Sequence, residues 1–252
     1  NVIISPLDTI TYTITAQNAS GCSDQTTFFV DVLPPPSLFI NSSGNTICEG
    51  NSVTMTASGA NNYIWSPSNS LSSQIGNVVV ATPNISTQYK VVGVDNNNCK
   101  DSIYSTINVN PNPVINISGT NTICQGDSTT LIANGASTYV WSPSNSLNQS
   151  SGNIVIANPS VTQNYTVIGT DLNLCESTVN YQVSILNNPT ISISSTNDTI
   201  CVGEVVNLSA NGAVSYVWSP ATSLNVTTGS TVSALPTMTT NYSVTGISSE
   251  NC

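Results

Sequence analysis

Short runs of alternating apolar and polar residues follow one another along this chain, and the same succession of runs recurs. In residues 113–188 the apolar positions include Leu131 and Ala133 in one run and Tyr165 and Val167 in another. Alternate residues of a strand face the same side of its sheet, so each run predicts a β-strand with one buried face. Gly, Pro, Asn and Asp separate the runs roughly every 8 to 12 residues, as turns do in all-β domains.

This pattern predicts six strands in residues 113–188, with a polar turn after the first of them and at most one further short strand in the crossover at 142–153. The strands are expected at 114–118, 129–133, 139–141, 154–157, 165–169 and 179–185, and the turn at 124–128. The neighbouring parts of the chain carry matching runs in the same order. At the start of the chain the matching runs are those of the last three strands alone, at 2–4, 12–16 and 28–32.

A Tyr-x-Trp-Ser-Pro stretch in the third predicted strand marks the period of the repeat. It contains the only three tryptophans of the chain, Trp65, Trp141 and Trp218, at intervals of 76 and 77 residues (141 minus 65 and 218 minus 141). A fixed period of this kind indicates a repeat array. The number and spacing of the strands predict an all-β chain of tandem immunoglobulin-like β-sandwich repeats that form an extended rod.

Proline-rich segments are the expected linkers between repeats, and they lie at 33–36, 110–113 and 186–189. Because proline restricts the backbone to extended conformations, these linkers are predicted to be stiff. The domain prediction is a C-terminal remnant, two whole repeats and a repeat without its last strand, at 1–34, 35–111, 112–188 and 189–252. A sandwich without its last strand exposes a sheet edge, so we expect the natural chain to continue in both directions.

Charge is scarce, since 6% of the residues are charged and the net charge is −10. The basic residues are Lys90 and Lys100. Two separated lysines cannot neutralise a row of phosphates, which excludes nucleic acid as a partner, and they give no attraction to an anionic membrane surface. With no His and no Arg, the sequence offers no Ser–His or Cys–His pair, so we predict that the protein is not an enzyme.

No cofactor is predicted, and a structural calcium ion is the one alternative. Asp95 and Asp171 lie in corresponding hairpins between the last two predicted strands, and we interpret Gln17 and Ser248 as their counterparts in the other repeats. Calcium needs six to eight oxygen ligands, usually from several carboxylates. Solvated turns are therefore the favoured interpretation of these acidic residues.

Seven cysteines recur at regular intervals, at positions 22, 48, 99, 124, 175, 201 and 252. The sequence has neither the close cysteine pairs nor the histidines that a zinc site needs. The spacing therefore predicts disulfides formed in an oxidising compartment.

Two disulfide patterns remain open. In a standard sandwich, the turn with Cys124 and the hairpin with Cys175 lie at opposite ends, roughly 25 Å apart, whereas a disulfide needs Cα atoms within about 7 Å. If repeats follow head to tail, the turn of one repeat faces the hairpin of the next. The favoured pattern is Cys48–Cys175 and Cys124–Cys252, with Cys22 and Cys201 bonded to repeats outside the chain and Cys99 to a preceding repeat. The alternative, which needs a non-standard strand order, is Cys48–Cys99, Cys124–Cys175 and Cys201–Cys252.

The repeated aromatic residues have a structural and a functional interpretation. Tyr63 and Trp65 face the same side of their strand, and we favour a core position over an exposed pair that stacks on sugar rings. Tyrosines at the start of the fifth strand are interpreted as tyrosine corners, whose hydroxyl groups bond nearby backbone. The predicted core aromatics are Trp65, Trp141, Trp218, Tyr12, Tyr89, Tyr165 and Tyr242.

Three motifs recur in a fixed order. Thr-Ile-Cys-x-Gly at 46–50, 122–126 and 199–203 is followed by Tyr-x-Trp-Ser-Pro, and then by Asn-Tyr-Thr-Val-x-Gly, as at 164–169, before a cysteine hairpin. Together they resemble the immunoglobulin-like or PKD-like repeats of extracellular Bacteroidetes proteins, nearest the SprB-type gliding-motility adhesins secreted by the type IX system. The chain departs from the PKD pattern in that Ser-Pro follows the tryptophan.

The resemblance implies an extracellular, cell-surface location and a filament that serves surface attachment and gliding motility. The implied partners are neighbouring repeats of the same chain, a surface polysaccharide or solid substrate bound by regions outside this chain, and the secretion and motility machinery of the outer membrane. It also implies O-glycosylation in Asp-Ser/Thr-apolar triplets, at Thr9, Ser102 and Thr199.

The leading functional hypothesis is a structural stalk segment of a long adhesin filament, whose stiff linkers and disulfides carry force. Two alternatives remain. One is an array of carbohydrate-binding modules that use exposed Tyr and Trp, and the other is a subunit of an extracellular sheath or appendage.

Overall fold

The computed structural model describes residues 2–252, whose regular secondary structure consists of 21 β-strands. No helix long and apolar enough to cross a membrane occurs in this range. The chain divides into two compact units. One contains the residues up to Asn112 together with Asn173–Cys175, and the other contains Pro113–Leu172 together with Glu176–Cys252.

The N-terminal repeat contributes a two-stranded hairpin to the first unit. Its strands β1 (Ile10–Gln17) and β2 (Ser23–Val30) pair antiparallel along their whole length. The strand predicted at residues 2–4 is wrong, because Val2 is 90% exposed and lies in no strand. In complete repeats the equivalent strand pairs with the second predicted strand, and residues 2–34 contain no such partner.

Seven strands of the second repeat form two sheets. They are β3 (Phe39–Ser42), β4 (Thr46–Cys48), β5 (Val53–Ser58), β6 (Asn62–Ser66), β7 (Val78–Ala81), β8 (Thr87–Val94) and β9 (Lys100–Asn110). The sheet orders are β3-β5-β7 and β4-β9-β8-β6, with every pair antiparallel except β4 and β9. Met55 and Val79 of the first sheet share one core with Val91 and Ile107 of the second. The repeat is therefore a β-sandwich.

The third repeat, in the second unit, has the same arrangement. Its strands are β10 (Asn116–Ser118), β11 (Thr122–Cys124), β12 (Thr129–Asn134), β13 (Thr138–Ser142), β14 (Ile154–Ala157), β15 (Gln163–Thr170) and β16 (Glu176–Leu186). The sheet orders are β10-β12-β14 and β11-β16-β15-β13. The six strands predicted for this repeat are all present, and the all-β sandwich class is confirmed.

The sequence analysis missed one strand in each complete repeat, β4 in the second and β11 in the third. Each is a Thr-Ile-Cys tripeptide that pairs in parallel with the last strand of its repeat, as Thr122 does with Ser184 and Cys124 with Leu186. Three residues are too few for an alternating pattern to stand out. Cys124, predicted as the first residue of the turn at 124–128, is therefore also the last residue of β11.

The fourth repeat lacks the counterpart of β9 and β16 within the described residues. Its strands are β17 (Ser192–Ser195), β18 (Val206–Asn211), β19 (Ser215–Ser219), β20 (Thr231–Ala234) and β21 (Ser243–Ile247), in sheets β17-β18-β20 and β19-β21. The tripeptide at 199–201 forms no strand here, because its parallel partner is missing. For the same reason Tyr242 is half-buried, whereas Tyr89 and Tyr165 are fully buried.

A tryptophan lies at the centre of each sandwich. Trp65, Trp141 and Trp218 are 1%, 1% and 2% exposed and belong to three separate hydrophobic cores. Each indole Nε1 donates a hydrogen bond of 2.9 Å to a backbone carbonyl, those of Gly76, Gly152 and Gly229. The indole is therefore buried with its one polar group satisfied. The Ser-Pro bond after it is cis in all three repeats.

The crossover between the two sheets covers a strand edge of each. In the second repeat, Leu71 bridges to Ala81 on β7, and Ile75 bridges to Ile64 on β6. Ser72 adds a backbone bond to Val80, and equivalent bridges recur in the third and fourth repeats. Uncovered edges invite pairing with other chains, so this crossover protects two edges of every sandwich.

Candidate functional site

The cysteines near the last strand of each repeat occupy one recurrent hairpin loop. In the second repeat the loop runs from Asp95 to Cys99, and the backbone N–H of Asp95 donates to the carbonyl of Cys99 at 3.0 Å. The Asp95 carboxylate accepts from the N–H groups of Asn97 and Cys99, both at 2.8 Å. The residue before each cysteine has a left-handed backbone, with φ between 63° and 86°, at Gly21, Asn98, Leu174 and Asn251. A type I turn followed by a left-handed residue is a common three-residue hairpin loop.

The structure corrects the sequence alignment of this loop. Asn18, not Gln17, is the counterpart of Asp95, because its side-chain oxygen accepts from the N–H groups of Ser20 and Cys22, both at 3.0 Å. In the fourth repeat Ser248 accepts from the N–H groups of Glu250 and Cys252. The acidic residue at this position is thus one of several hydrogen-bond acceptors that shape the loop. A hydrogen bond from the Ser249 hydroxyl lowers the pKa of the exposed Glu250 below its usual value.

The other cysteines begin a tight turn. Cys48 accepts a hydrogen bond from the N–H of Asn51 at 3.0 Å, and Gly50 between them has a φ of 86°. A Cβ atom on Gly50 would meet nothing within 4 Å, so glycine is required by the backbone conformation and not by crowding. A positive φ at the third of the four turn residues, here Gly50, is typical of a type II turn, which favours glycine at that position. The same bond closes the turns at Cys124 and Cys201, at 3.0 and 3.1 Å.

A linker asparagine holds each cysteine turn in the complete repeats. The Asn112 side chain donates to the carbonyl of Glu49 at 3.1 Å, and the Asn188 side chain donates to that of Gln125 at 3.0 Å. The acceptor follows the cysteine directly in both cases. The linkers at 110–113 and 186–189 are therefore fastened beside Cys48 and Cys124. Sequence analysis missed these bonds, and an asparagine recurring at the same linker position is the signal that would have suggested them.

Two disulfides join cysteine turns to cysteine hairpins of different repeats. Cys48 of the second repeat bonds to Cys175 of the third, and Cys124 of the third bonds to Cys252 of the fourth. Both pairs have a Cα–Cα distance of 5.5 Å, which is within the usual range for disulfides. These are the inter-repeat pairs that the sequence analysis favoured. Cys22, Cys99 and Cys201 are thiols in this structure, with Cys22 and Cys201 exposed.

The Tyr/Trp pair is not available for stacking on a sugar. Trp65 is buried as described above, and Tyr63 is 7% exposed. The Tyr63 hydroxyl accepts from the N–H of Ala60 at 2.8 Å and donates to the carbonyl of the same residue at 2.7 Å. Tyr139 and Tyr216 make the same two bonds with Ala136 and Ala213. These tyrosines therefore fix the turn before the tryptophan strand.

The tyrosine-corner interpretation predicted the wrong hydrogen-bond partner for the tyrosine hydroxyl groups of the fifth predicted strand. The Tyr165 hydroxyl shares a hydrogen bond of 2.6 Å with the Ser146 hydroxyl, on the crossover between the sheets, and not with backbone near the preceding turn. Tyr89 and Tyr242 pair with Ser70 and Ser223 in the same way. Tyr12, also predicted as a core aromatic, is half-buried on the β1–β2 hairpin and belongs to none of the three cores. The reason is that the hairpin has no facing sheet among the described residues.

The three hydroxyl groups implied as glycosylation sites have different surroundings. Thr9 is exposed, but its hydroxyl donates to the Asp31 carboxylate at 2.9 Å and accepts from the N–H of Val32 at 3.0 Å. Ser102 is half-buried within β9, and Thr199 is exposed outside any strand. Thr9 and Thr199 are therefore exposed residues, and Ser102 is not.

Residues 2–252 contain no group of three or more His, Cys, Asp or Glu side chains that could hold a metal ion. Their surface depressions are open and lined largely by Asn, Ser, Thr and Gly; the lining at the Cys48 turn, for example, includes Thr46, Asn51, Ser52 and Asn110. A depression in the fourth repeat is lined by Ser, Thr, Asn and Asp as well, together with the apolar residues Ile200, Leu208 and Met238.

No protein-family model matches this chain. No curated protein matches it either. Similar solved structures include murine CEACAM1b (11% identity over 60% of this chain and 100% of that chain, TM-score 0.27) and the insect immune protein hemolin (12% over 71% and 56%, TM-score 0.32). A third is a 1.5-MDa bacterial ice-binding adhesin (10% over 80% and 87%, TM-score 0.30). At these TM-scores the similarity carries no inference, and the fold assignment rests on the strands and cores described above.

Proposed function

We propose that this chain is a structural segment of an extracellular adhesive protein, in which covalently joined sandwich repeats carry load between a cell surface and a distant binding region. The observation that carries the proposal is the pair of disulfides, Cys48–Cys175 and Cys124–Cys252, because each joins two different repeats. Disulfides form and persist outside the reducing cytosol. A bond between repeats also keeps them attached when a sandwich opens under load.

The construction of the repeats supports the same role. Each tryptophan-centred core is separate, so one sandwich can open while the others stay folded. The crossovers cover strand edges that would otherwise pair with neighbouring filaments. The linker asparagines Asn112 and Asn188 fasten the linkers beside the bonded cysteines. Load that enters through a disulfide thus reaches the linker and the parallel strand pair at the same place.

The remaining cysteines fit further bonds of the same kind. Cys22 and Cys99 lie in hairpin loops equivalent to that of Cys252, and in each loop the residue before the cysteine has a left-handed backbone. Cys201 begins a glycine turn equivalent to those that begin at Cys48 and Cys124. We propose that Cys22 and Cys201 bond to repeats outside this chain and Cys99 to a preceding repeat. The unbonded positions already have the backbone shape of the bonded ones, which supports this proposal.

The finer identity proposed is a stalk segment of a SprB-type adhesin that serves gliding motility and is exported by the type IX system. The support is the order of the Thr-Ile-Cys-x-Gly and Tyr-x-Trp-Ser-Pro motifs, which supply the cysteine turn and the core tryptophan of each repeat. The proposed partners are the neighbouring repeats, a polysaccharide or solid surface, and the outer-membrane machinery. A gene that encodes further repeats and a type IX sorting domain would support this identity, and a gene with neither would contradict it.

Surface labelling tests the proposed location. Antibodies raised against residues 35–188 should label intact, unpermeabilised cells of the source organism, and protease treatment of intact cells should remove the signal. Labelling that appears only after permeabilisation would overturn an extracellular role.

Binding measurements separate a stalk from an array of carbohydrate-binding modules. The rings of Tyr63 and Trp65 are buried and hydrogen-bonded, so this repeated pair offers no face for sugar stacking. The purified chain should therefore bind no member of a glycan array, and its tryptophan fluorescence should not change with added oligosaccharide. Saturable binding with a fluorescence change would favour the binding module instead.

A further inference from the structure

The two disulfides close loops that overlap in sequence. The first loop runs from Cys48 to Cys175 and the second from Cys124 to Cys252, so residues 124–175 belong to both. The overlap arises because each cysteine turn bonds to the hairpin of the following repeat. Bonds within single repeats, such as Cys48–Cys99 and Cys124–Cys175, would close separate loops with an unprotected linker between them.

We infer that this overlap makes residues 48–252 a segment that no single backbone cut can divide. A cut between 48 and 124 is bridged by Cys48–Cys175, and a cut between 175 and 252 is bridged by Cys124–Cys252. A cut within residues 124–175 is bridged by both bonds. Every linker and loop between Cys48 and Cys252 therefore has a covalent bypass, and separation of the segment into two parts requires at least two events.

The same overlap limits how far the segment extends after its sandwiches unfold. The shortest covalent path from Cys48 to Cys252 crosses to Cys175, runs backwards to Cys124 over 51 residues (175 minus 124), and crosses to Cys252. At about 3.5 Å per residue plus the two disulfides, this path spans about 190 Å. The backbone path of 204 residues (252 minus 48) spans about 710 Å. The disulfides therefore make the segment a strain limiter that extends to roughly a quarter of its backbone length.

The covalent path follows from the two bonds alone, and its use as a strain limiter in the cell rests on the proposed load-bearing function. The two experiments below measure the covalent path in the purified chain. Their failure would overturn the inferred path without touching the extracellular location, which surface labelling tests separately.

Site-specific cleavage tests the bypass. A protease recognition sequence is inserted in one linker at a time, after Pro111 or after Asn187, with an insertion after Pro34 as the matched control outside both loops. All versions carry Cys22→Ser, Cys99→Ser and Cys201→Ser, so that none of the three thiols can form a further bond within or between chains. After complete cleavage the two inner versions should run as one species without reductant and as two with it, whereas the control should give two in both. Release of a fragment from either inner version without reductant would overturn the inference.

Single-molecule pulling between the chain ends tests the extension limit. Replacing Cys124 by Ser removes one bond and lengthens the shortest path from Cys48 to Cys252 to 77 residues (252 minus 175), so the extended length should increase by about 85 Å. Reduction of both bonds should add about 520 Å. Cys99→Ser is the matched control and should change nothing, because Cys99 is a thiol. A longer extension for Cys99→Ser would indicate bonds within repeats and contradict the overlap.

Discussion

Individual aromatic residues in this protein serve the interior of each repeat. The indole Nε1 of each tryptophan and the hydroxyl of the tyrosine two positions before it are all bonded to backbone groups of the same repeat. A buried polar group with a partner costs little, and one without a partner costs much. These residues are therefore repeated because each small sandwich needs the same filled core.

Replacement of Trp141 tests this interpretation. Trp141→Ala should destabilise the third repeat by about 3–5 kcal/mol, through lost burial and the cavity left behind. Val140 precedes it on β13 but faces outward and is 54% exposed, so Val140→Ala should cost less than about 0.5 kcal/mol. Hydrogen exchange of the β12 and β15 amides measures the free energy of unfolding of the third repeat in each variant. Equal effects for the two variants would place the tryptophan outside the core.

The paired hydroxyl groups of Tyr165 and Ser146 allow a double-mutant cycle. Ser146→Ala leaves the hydroxyl of a fully buried tyrosine without its partner, which should cost about 1–3 kcal/mol. Adding Tyr165→Phe removes the unpaired hydroxyl and should recover much of that loss. The same hydrogen-exchange measurement applies, and simple additivity of the two substitutions would contradict a direct bond.

Among the structural elements, the turns before the tryptophan strands impose the strictest requirements on the sequence. Gly135 has a φ of 104°, and a Cβ atom there would lie 1.8 Å from the carbonyl oxygen of Val114. Gly126 has a similar φ of 96°, but a Cβ atom there would meet nothing within 4 Å. Backbone conformation alone therefore favours glycine at position 126, whereas at position 135 backbone conformation and close packing both require it.

Alanine substitutions at these two glycines should differ in cost. Gly126→Ala should cost about 1–2 kcal/mol, the penalty of a left-handed backbone for a residue with a Cβ. Gly135→Ala adds a clash with backbone and should cost at least about 3 kcal/mol, at the upper end for single substitutions. Thermal unfolding followed by circular dichroism compares them. A Gly126→Ala variant as unstable as Gly135→Ala would mean that the space around Gly126 is not open.

Sequence alternation predicted the longer strands because each has one face in a core. It missed β4 and β11, which have three residues each and owe their place to the parallel partners β9 and β16. The fourth repeat illustrates this dependence, since the same tripeptide forms no strand where that partner is missing. The Ser146–Tyr165 bond was also missed, because 19 positions separate its members and no local pattern connects them.

At the scale of the whole molecule, cysteine spacing predicted disulfides but left two pairings open. Both patterns satisfy the spacing, and the choice depends on which turn and hairpin meet in three dimensions. The 5.5 Å Cα–Cα distances of Cys48–Cys175 and Cys124–Cys252 give the inter-repeat pattern. The chain has two lysines, 12 acidic residues and a net charge of −10. Because so few cations are present, disulfides and not ion pairs hold neighbouring repeats together.

Disulfides between different repeats underlie the proposed load-bearing role, and peptide mapping of the non-reduced chain tests them most directly. The chain is digested with a protease that cuts after aromatic and leucine residues, since it has too few lysines for trypsin, and the linked peptides are identified by mass spectrometry. We expect one linked pair that contains Cys48 and Cys175 and another that contains Cys124 and Cys252. Linked peptides that join Cys48 to Cys99, or Cys124 to Cys175, would contradict it.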